Sequence, residues 1–259
     1  MWQKYNRGKI LRRFFVEETR ERDGHAVISG PEARHILRVL RMGSGDHFIL
    51  MDGKGGRFEA VIESSGHQEL HVRLERALPK PATSPVEISL CQALLKSRSM
   101  DYLIEKCSEL GVNEITPFFS ERTVVKIAQS MTTDRARRWR EIAQGAAKQS
   151  DRIKPAAISL PVSFGELTDR WRNDEAMKLI LWEKEESTDL KELLRASPPS
   201  ARFIGMVGPE GGFSRTEIDI AREAGFRPVS IGRRILRAET AAITLAAIVQ
   251  YEWGDLGRN

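Results

Sequence analysis

The chain has 259 residues, 41% of them hydrophobic and 30% charged, with a formal net charge of +5 at pH 7. That length holds one large core or two modest ones, and that composition excludes the disordered and fibrous classes. No apolar run approaches the roughly 18 residues a membrane span needs, and the opening MWQKYNRGKILRRFF has no signal-peptide core, so a cytoplasmic protein without membrane contact is expected.

Residues 1–41 hold ten Lys or Arg against five Asp or Glu, a surplus equal to that of the whole chain. Such a face attracts phosphate backbones, and it is equally the solvated surface of proteins that bind none. Short alternating patterns follow: Phe48 and Leu50, then Phe58, Ala60 and Ile62, then Leu70, Val72 and Leu74. Period two predicts strands. Between them PEARHILRVLR spaces Ile36, Val39 and Leu40 as a short helix starting at Pro31. Residues 1–80 therefore read as a small β-barrel carrying one helix. The glycines of MDGKGGRF suit a hairpin turn. His67 and His71 have the spacing of a helical metal pair, but LHVRLER alternates as a strand, so no metal site is expected. The tract PKPATSP, 79–85, can neither continue a strand nor nucleate a helix, and it marks the domain boundary.

Residues 81–259 follow another grammar. VEISLCQALL, EITPFF, AISLPV, MKLILWE and FIGMVG are near-continuous apolar strands. Amphipathic helices separate them, one carrying Met100, Leu103, Ile104, Cys107 and Leu110 and stopped by Gly111, another carrying Trp139, Ile142, Ala143, Ala146 and Ala147. A helix from Ser214 to Gly225, a strand near Val229 and a long helix from Ala238 to Trp253 complete the chain. This alternation predicts an α/β domain with a mostly parallel sheet covered on both faces. Cys91 and Cys107 both fall in apolar patterns and read as buried core thiols.

Two segments carry the chemistry. In FIGMVGPEGGFSRTEI an apolar strand runs into Gly208, Pro209, Glu210, Gly211 and Gly212, and Ser214 with Glu217 forms a capping box for the next helix. Paired glycines at a strand's carboxyl end let a ligand approach bare backbone, or they simply make a tight βα turn. The spacing is neither G-x-G-x-x-G nor a phosphate-cradling loop ending in Gly-Lys-Ser/Thr. In IGRRILRAETAA, 231–242, three arginines and a glutamate crowd a second βα junction, as ligand contacts or as a capping and salt-bridge cluster.

GPEGGFS followed by IGRRILRAETA resembles the closing signature of the RsmE family of SPOUT-class methyltransferases. RRFF, HILRVLR, KSRSMDYLIEKCSELGV, SERTVVK and WREIAQGAAKQSDR resemble the family's pattern in order and spacing, with a slight departure in the proline placement of RIKPAAISLP. The resemblance implies a PUA-like β-barrel, a C-terminal SPOUT domain with a deep trefoil knot, bound S-adenosyl-L-methionine, a homodimer, and methylation of N3 of a uridine in 16S ribosomal RNA within the small ribosomal subunit. A SPOUT ribose 2'-O-methyltransferase and a non-catalytic ribosome-assembly RNA-binding protein are the alternatives.

Carried onto this sequence, the cofactor set is Trp182, Glu183, Gly208, Pro209, Glu210, Gly211, Gly212, Ile231, Gly232, Leu236, Arg237, Ala238, Thr240 and Ala241. Trp182 is equally a core residue at a strand end. Uridine N3 must lose a weakly acidic proton before it attacks, so Glu239 is the candidate base and Arg237 or Arg234 the candidate stabiliser of charge on the base carbonyls. Transfer to nitrogen needs no covalent cysteine. Candidate RNA contacts are Arg12, Arg13, His35, Arg38 and Arg41 from the first domain and Lys96, Arg98, Arg122, Lys148 and Arg152 from the second.

Overall fold

The computed structural model describes residues 11–16, 24–52, 55–66, 68–81, 83–125 and 132–257; His67 and the Lys126 end of SERTVVK lie outside the described residues. The chain forms two compact units, and their boundary is interleaved: Asp151–Lys154 joins residues Met1–Ala82 in the first unit. Arg152, expected in the second domain, thus belongs to the first.

The first unit contains β1 (Arg13–Phe15), β2 (His25–Ser29), a short helix α1 (Gly30–Arg34), β3 (His47–Met51), β4 (Arg57–Ser65) and β5 (Glu69–Ala77). The strands form one sheet in the order β1-β3-β4-β5-β2, parallel only between β1 and β3. Register shifts along β4, between Glu59 and Ala60 and between Ile62 and Ser64, curl the sheet. Its outer strands β1 and β2 do not pair with each other among the described residues, so no ladder closes it. The alternating residues Phe48, Leu50, Ala60, Ile62, Leu70 and Val72 are all buried in one core.

After α1 the chain widens into a π-helical turn, His35–Val39, closed by the Leu40 N–H on the His35 carbonyl. The wider turn shifts the register of the expected apolar face. Ile36 is buried, but Val39 is 67% exposed. Arg57, 1% exposed, donates to both oxygens of Asp151 at 2.7 Å and to the Pro79 carbonyl at 3.0 Å. Arg13 pairs with the same carboxylate at 2.9 Å. This shared aspartate is what holds Asp151–Lys154 in the first unit.

The second unit contains β6 (Glu87–Ala93), α2 (Ser97–Glu109), β7 (Glu114–Phe119), α3 (Thr132–Gln149), β8 (Ala157–Ile158), β9 (Val162–Ser163), α4 (Phe164–Trp171), β10 (Met177–Leu181), α5 (Leu190–Ala196), β11 (Arg202–Val207), α6 (Arg215–Glu223), β12 (Arg227–Val229) and α7 (Ala238–Glu252). Its seven strands are all parallel, ordered β12-β10-β11-β6-β7-β8 with β9 also on β7. Successive residues feed opposite faces. On β11, Phe203 and Val207 enter a core with α2, α3, α5 and α7, while Ile204 and Met206 enter one with α4 and α6. Pattern and fold agree here, because a strand buried on both faces has no polar side to alternate with.

AISLPV, read as one strand, is two short ones: Pro161 has no N–H to offer the ladder. Gly205 lets α7 close onto β11, since a Cβ there would lie 2.6 Å from Leu245. Lys178, buried on β10, donates to the carbonyls of Trp171, Arg172 and Ala224 at 2.9, 3.1 and 3.0 Å, capping the ends of α4 and α6 together. No helix among the described residues is long and apolar enough to cross a membrane.

Candidate functional site

A cavity of about 660 Å³ opens where β10, β11 and β12 end. Parallel strands deliver their following loops to one edge of the sheet, which is where α/β domains bind ligands. Its walls are three loops: Trp182 to Asp189 after β10, Gly208 to Phe213 after β11, and Ser230 to Leu236 after β12. The two motif loops meet there, but not as neighbours. β12 pairs with β10, and β10 separates it from β11, so the loop after β10, expected to contribute Trp182 and Glu183, comes between them.

Of the expected cofactor residues, Trp182, Glu183, Gly208 to Gly212, Ile231, Gly232, Leu236, Ala238 and Ala241 line the cavity, whereas Arg237 and Thr240 do not. Glu185, Glu186, Thr188 and Asp189, which the sequence did not single out, also line it. Side-chain hydrogen bonding from Ser187 holds the Glu185 carboxyl below the usual carboxylate range, against a smaller opposing effect of burial. The first loop is therefore an acidic wall.

The glycine loop is tight for internal reasons. A Cβ on Gly208 would sit 3.1 Å from the Phe213 ring, one on Gly211 3.2 Å from the Arg122 Cβ, and one on Gly212 2.9 Å from a Glu183 oxygen. Gly212 also has φ +66°, where side chains are strained. Phe213 stacks on Phe118 with centroids 6.3 Å apart and packs against Phe164, which anchors the loop in the core.

The segment after β7 is built onto this loop. Glu217, buried in the capping box of α6, accepts the Ser214 N–H with one oxygen and the Glu121 N–H with the other, both at 3.0 Å. Arg122 then donates to the Gly211 carbonyl at 3.1 Å. Gln92, wholly buried at the end of β6, donates to the Gly208 carbonyl at 3.3 Å.

The third loop is held only at its ends. Ser230 exchanges backbone hydrogen bonds with Thr188 and Leu190, and α7 begins at Ala238. Between them no backbone hydrogen bond engages Arg233, Arg234, Ile235 or Leu236 among the described residues. Arg233, Arg234 and Arg237 are exposed. Glu239 is turned toward α2 and accepts the Ser99 hydroxyl at 3.3 Å. The candidate base and Arg237 thus stand beside the cavity, not on its wall.

The expected RNA contacts divide by partner. Arg12, His35, Arg38, Arg41, Lys96 and Arg98 are exposed. Arg13 and Arg122 are engaged internally, by Asp151 and Gly211, and Lys148 and Arg152 are partly buried. His71 is exposed on β5, as the strand reading required. Burial, with a smaller contribution from the nearby Glu114 charge, pushes the Cys91 thiol up to about 12; burial raises Cys107 as well.

The model of the RNA methyltransferase domain matches residues 82–250, and that of the RNA methyltransferase PUA domain matches residues 28–75. The chain is 33% identical over 223 residues to ribosomal RNA small subunit methyltransferase E of Synechocystis, covering 86% of this chain and 72% of that relative. Among solved structures, a methyltransferase of Legionella pneumophila in complex with its cofactor SAM superposes with TM-score 0.86 at 32% identity, over 95% of this chain and all of that one. Ribosomal RNA small subunit methyltransferase E of Neisseria gonorrhoeae, bound to S-adenosyl methionine, gives TM-score 0.83 at 31% identity, over 95% and 99% of the two chains.

Proposed function

The chain belongs to the ribosomal RNA small subunit methyltransferase E family, and on that premise we propose that it transfers the methyl group of S-adenosyl-L-methionine to N3 of a uridine in 16S ribosomal RNA. The cavity at the three strand ends carries this reading. Its carboxylates suit a cofactor with an ammonium group, a sulfonium centre and ribose hydroxyls, and the unbonded backbone of Arg233 to Leu236 offers donors and acceptors to an adenine edge. When bound, S-adenosylmethionine supplies an electrophilic methyl group.

The protein's own work is placement and charge. Glu183, Glu185 and Asp189 hold the cationic cofactor; Gly208 to Gly212, braced by Arg122 and Glu217, fix the opposite wall. Arg237, at the positive start of α7, faces the electron-rich base as N3 loses its proton, and Glu239 accepts that proton by leaving its Ser99 contact. The curled first unit acts as a PUA-like barrel that grips RNA through Arg12, Arg38 and Arg41. The proposed reading includes a SPOUT trefoil knot, action on the small subunit in the cytoplasm, and a homodimer, for which Tyr102 on α2 and Tyr251 on α7 offer exposed aromatic surface. Undermethylated small ribosomal subunits incubated with labelled S-adenosylmethionine should yield labelled N3-methyluridine on nucleoside analysis. Label in a ribose-methylated nucleoside, or none, would overturn the reading.

A further inference from the structure

Ile235 is 88% exposed, more than any other large apolar side chain among the described residues. A lone exposed aliphatic residue is ordinary on a protein surface. This one is placed otherwise. It stands on the wall of the cofactor cavity, in a stretch, Arg233 to Leu236, that makes no backbone hydrogen bond among the described residues, with exposed Arg233, Arg234 and Arg237 around it. The arginines would hold a phosphate backbone against the loop, which brings Ile235 to the level of the stacked bases.

N3 of uridine lies on the Watson–Crick edge, so the target cannot be paired when it reacts, and a base that enters a cavity must leave its stack. The gap left behind has to be filled, and nucleic-acid-binding proteins fill such gaps with Ile, Leu, Met or Phe set among basic residues. We propose that Ile235 is the wedge that occupies the position vacated by the target uridine, while Arg233 and Arg234 hold the flanking phosphates. This inference rests on the RNA methyltransferase reading of the same cavity. It adds to it a residue that touches neither the transferred methyl nor the reacting nitrogen. Charge decides the occupant: three exposed arginines beside the isoleucine, without an ion-pair partner among the described residues, favour a polyanion over an apolar protein face.

The test uses the intact protein, undermethylated small ribosomal subunits and labelled S-adenosylmethionine in single turnover. Ile235→Ala is expected to lower the rate at least tenfold, with S-adenosylmethionine affinity by calorimetry and sedimentation behaviour both unchanged. Ile235→Phe, a wedge that still fills the gap, should keep at least a third of the wild-type rate. A wild-type rate in Ile235→Ala overturns the proposal. So does a parallel loss of cofactor affinity, which would make Ile235 part of the cofactor's wall, or a change of oligomeric state, which would make it an interface between two copies. If the wild-type protein itself transfers no methyl to the subunits, it is the methyltransferase reading that fails, and it fails before any variant is compared.

Discussion

The guanidinium of Arg122 donates to the carbonyl of Gly211 across 89 positions of sequence, at 3.1 Å, while the carbon at the base of the same side chain fills the space a Gly211 Cβ would need. Arg122 thus braces the glycine loop from an exposed position. Arg122→Ala should weaken S-adenosylmethionine binding about tenfold, the loss of one charge-assisted hydrogen bond of roughly 1.4 kcal/mol. It should leave the salt dependence of RNA binding alone. Replacing Arg12, Arg38 and Arg41 with Ala should do the reverse, flattening the log-log slope by about 0.7 per lost contact on a single strand. A flattened slope in Arg122→Ala would return that residue to the RNA interface.

Gly212 tests the loop's geometry separately. Alanine there combines a positive φ of +66° with a methyl group 2.9 Å from the Glu183 carboxylate. The left-handed conformation alone costs about 1 kcal/mol. The displaced carboxylate should raise the cofactor Kd well beyond that strain, while Gly212→Asn, which tolerates the conformation better, should lower thermal stability less. Calorimetric binding and melting curves of the two variants check both points, and equal, wild-type affinities would remove Glu183 from the cofactor's contacts.

The parallel sheet was legible because its strands are apolar on both sides, and the glycine loop because strand, Gly-Pro-Glu-Gly-Gly and capping box follow one another in sequence. The wall after β10 was legible only at Trp182 and Glu183. Glu185, Thr188 and Asp189 look like any polar loop until β10 is found between β11 and β12, a matter of strand order that periodicity does not encode. The surroundings of Arg122 and Arg152 were not legible for a related reason. Their partners, Gly211 for one and the residues of the first unit for the other, are distant in sequence, and an arginine's spacing says nothing of what it meets. Cys91 and Cys107 succeeded because burial of a thiol follows directly from an apolar pattern.

Those thiols give a pH prediction. Cys91 has a folded-state value near 12 against an ordinary value of 9.0, so the folded protein keeps a proton that the unfolded chain gives up. Stability is unaffected below pH 9 and falls as pH rises from there toward 12. Native protein at pH 8 should leave both thiols unreactive toward a thiol reagent, and both should react once the chain is denatured. Denaturant midpoints should decline above pH 9 and less steeply in Cys91→Ala. Rapid labelling of either thiol in the native state would contradict the burial.

Lys178 tests the core beneath the cavity. Lys178→Met keeps the apolar stem but takes the ammonium from three carbonyls: that of Trp171 keeps the Asp174 N–H, while those of Arg172 and Ala224 lose their side-chain donor. A cost of about 3 kcal/mol is expected, on the order of one to two unsatisfied buried acceptors after partial relaxation. Denaturant unfolding measures it. A loss under about 1 kcal/mol would mean that water replaces the ammonium at little expense.

Glu239 and Arg237 carry the chemistry in the proposed reaction, and the geometry sets what each variant must show. Glu239 is bonded to Ser99 and lies off the cavity wall, so its carboxylate must turn by a side-chain rotation before it can take the N3 proton. Glu239→Gln keeps the Ser99 contact and removes the basicity. Its rate of methyl transfer should fall at least a hundredfold near neutral pH and recover partly as pH rises toward the range where uridine N3 ionises unaided. Ser99→Ala, which frees the carboxylate, should leave turnover intact or raise it slightly, and an equal loss in both variants would instead make the Ser99–Glu239 contact a structural tie between α2 and α7. Arg237→Ala should lower kcat far more than it weakens cofactor binding, because its contact forms with charge that develops only as the proton leaves. Should Glu239→Gln turn over at the wild-type rate across the pH series, the proton departs to water, and the cluster at the start of α7 acts through Arg237 alone.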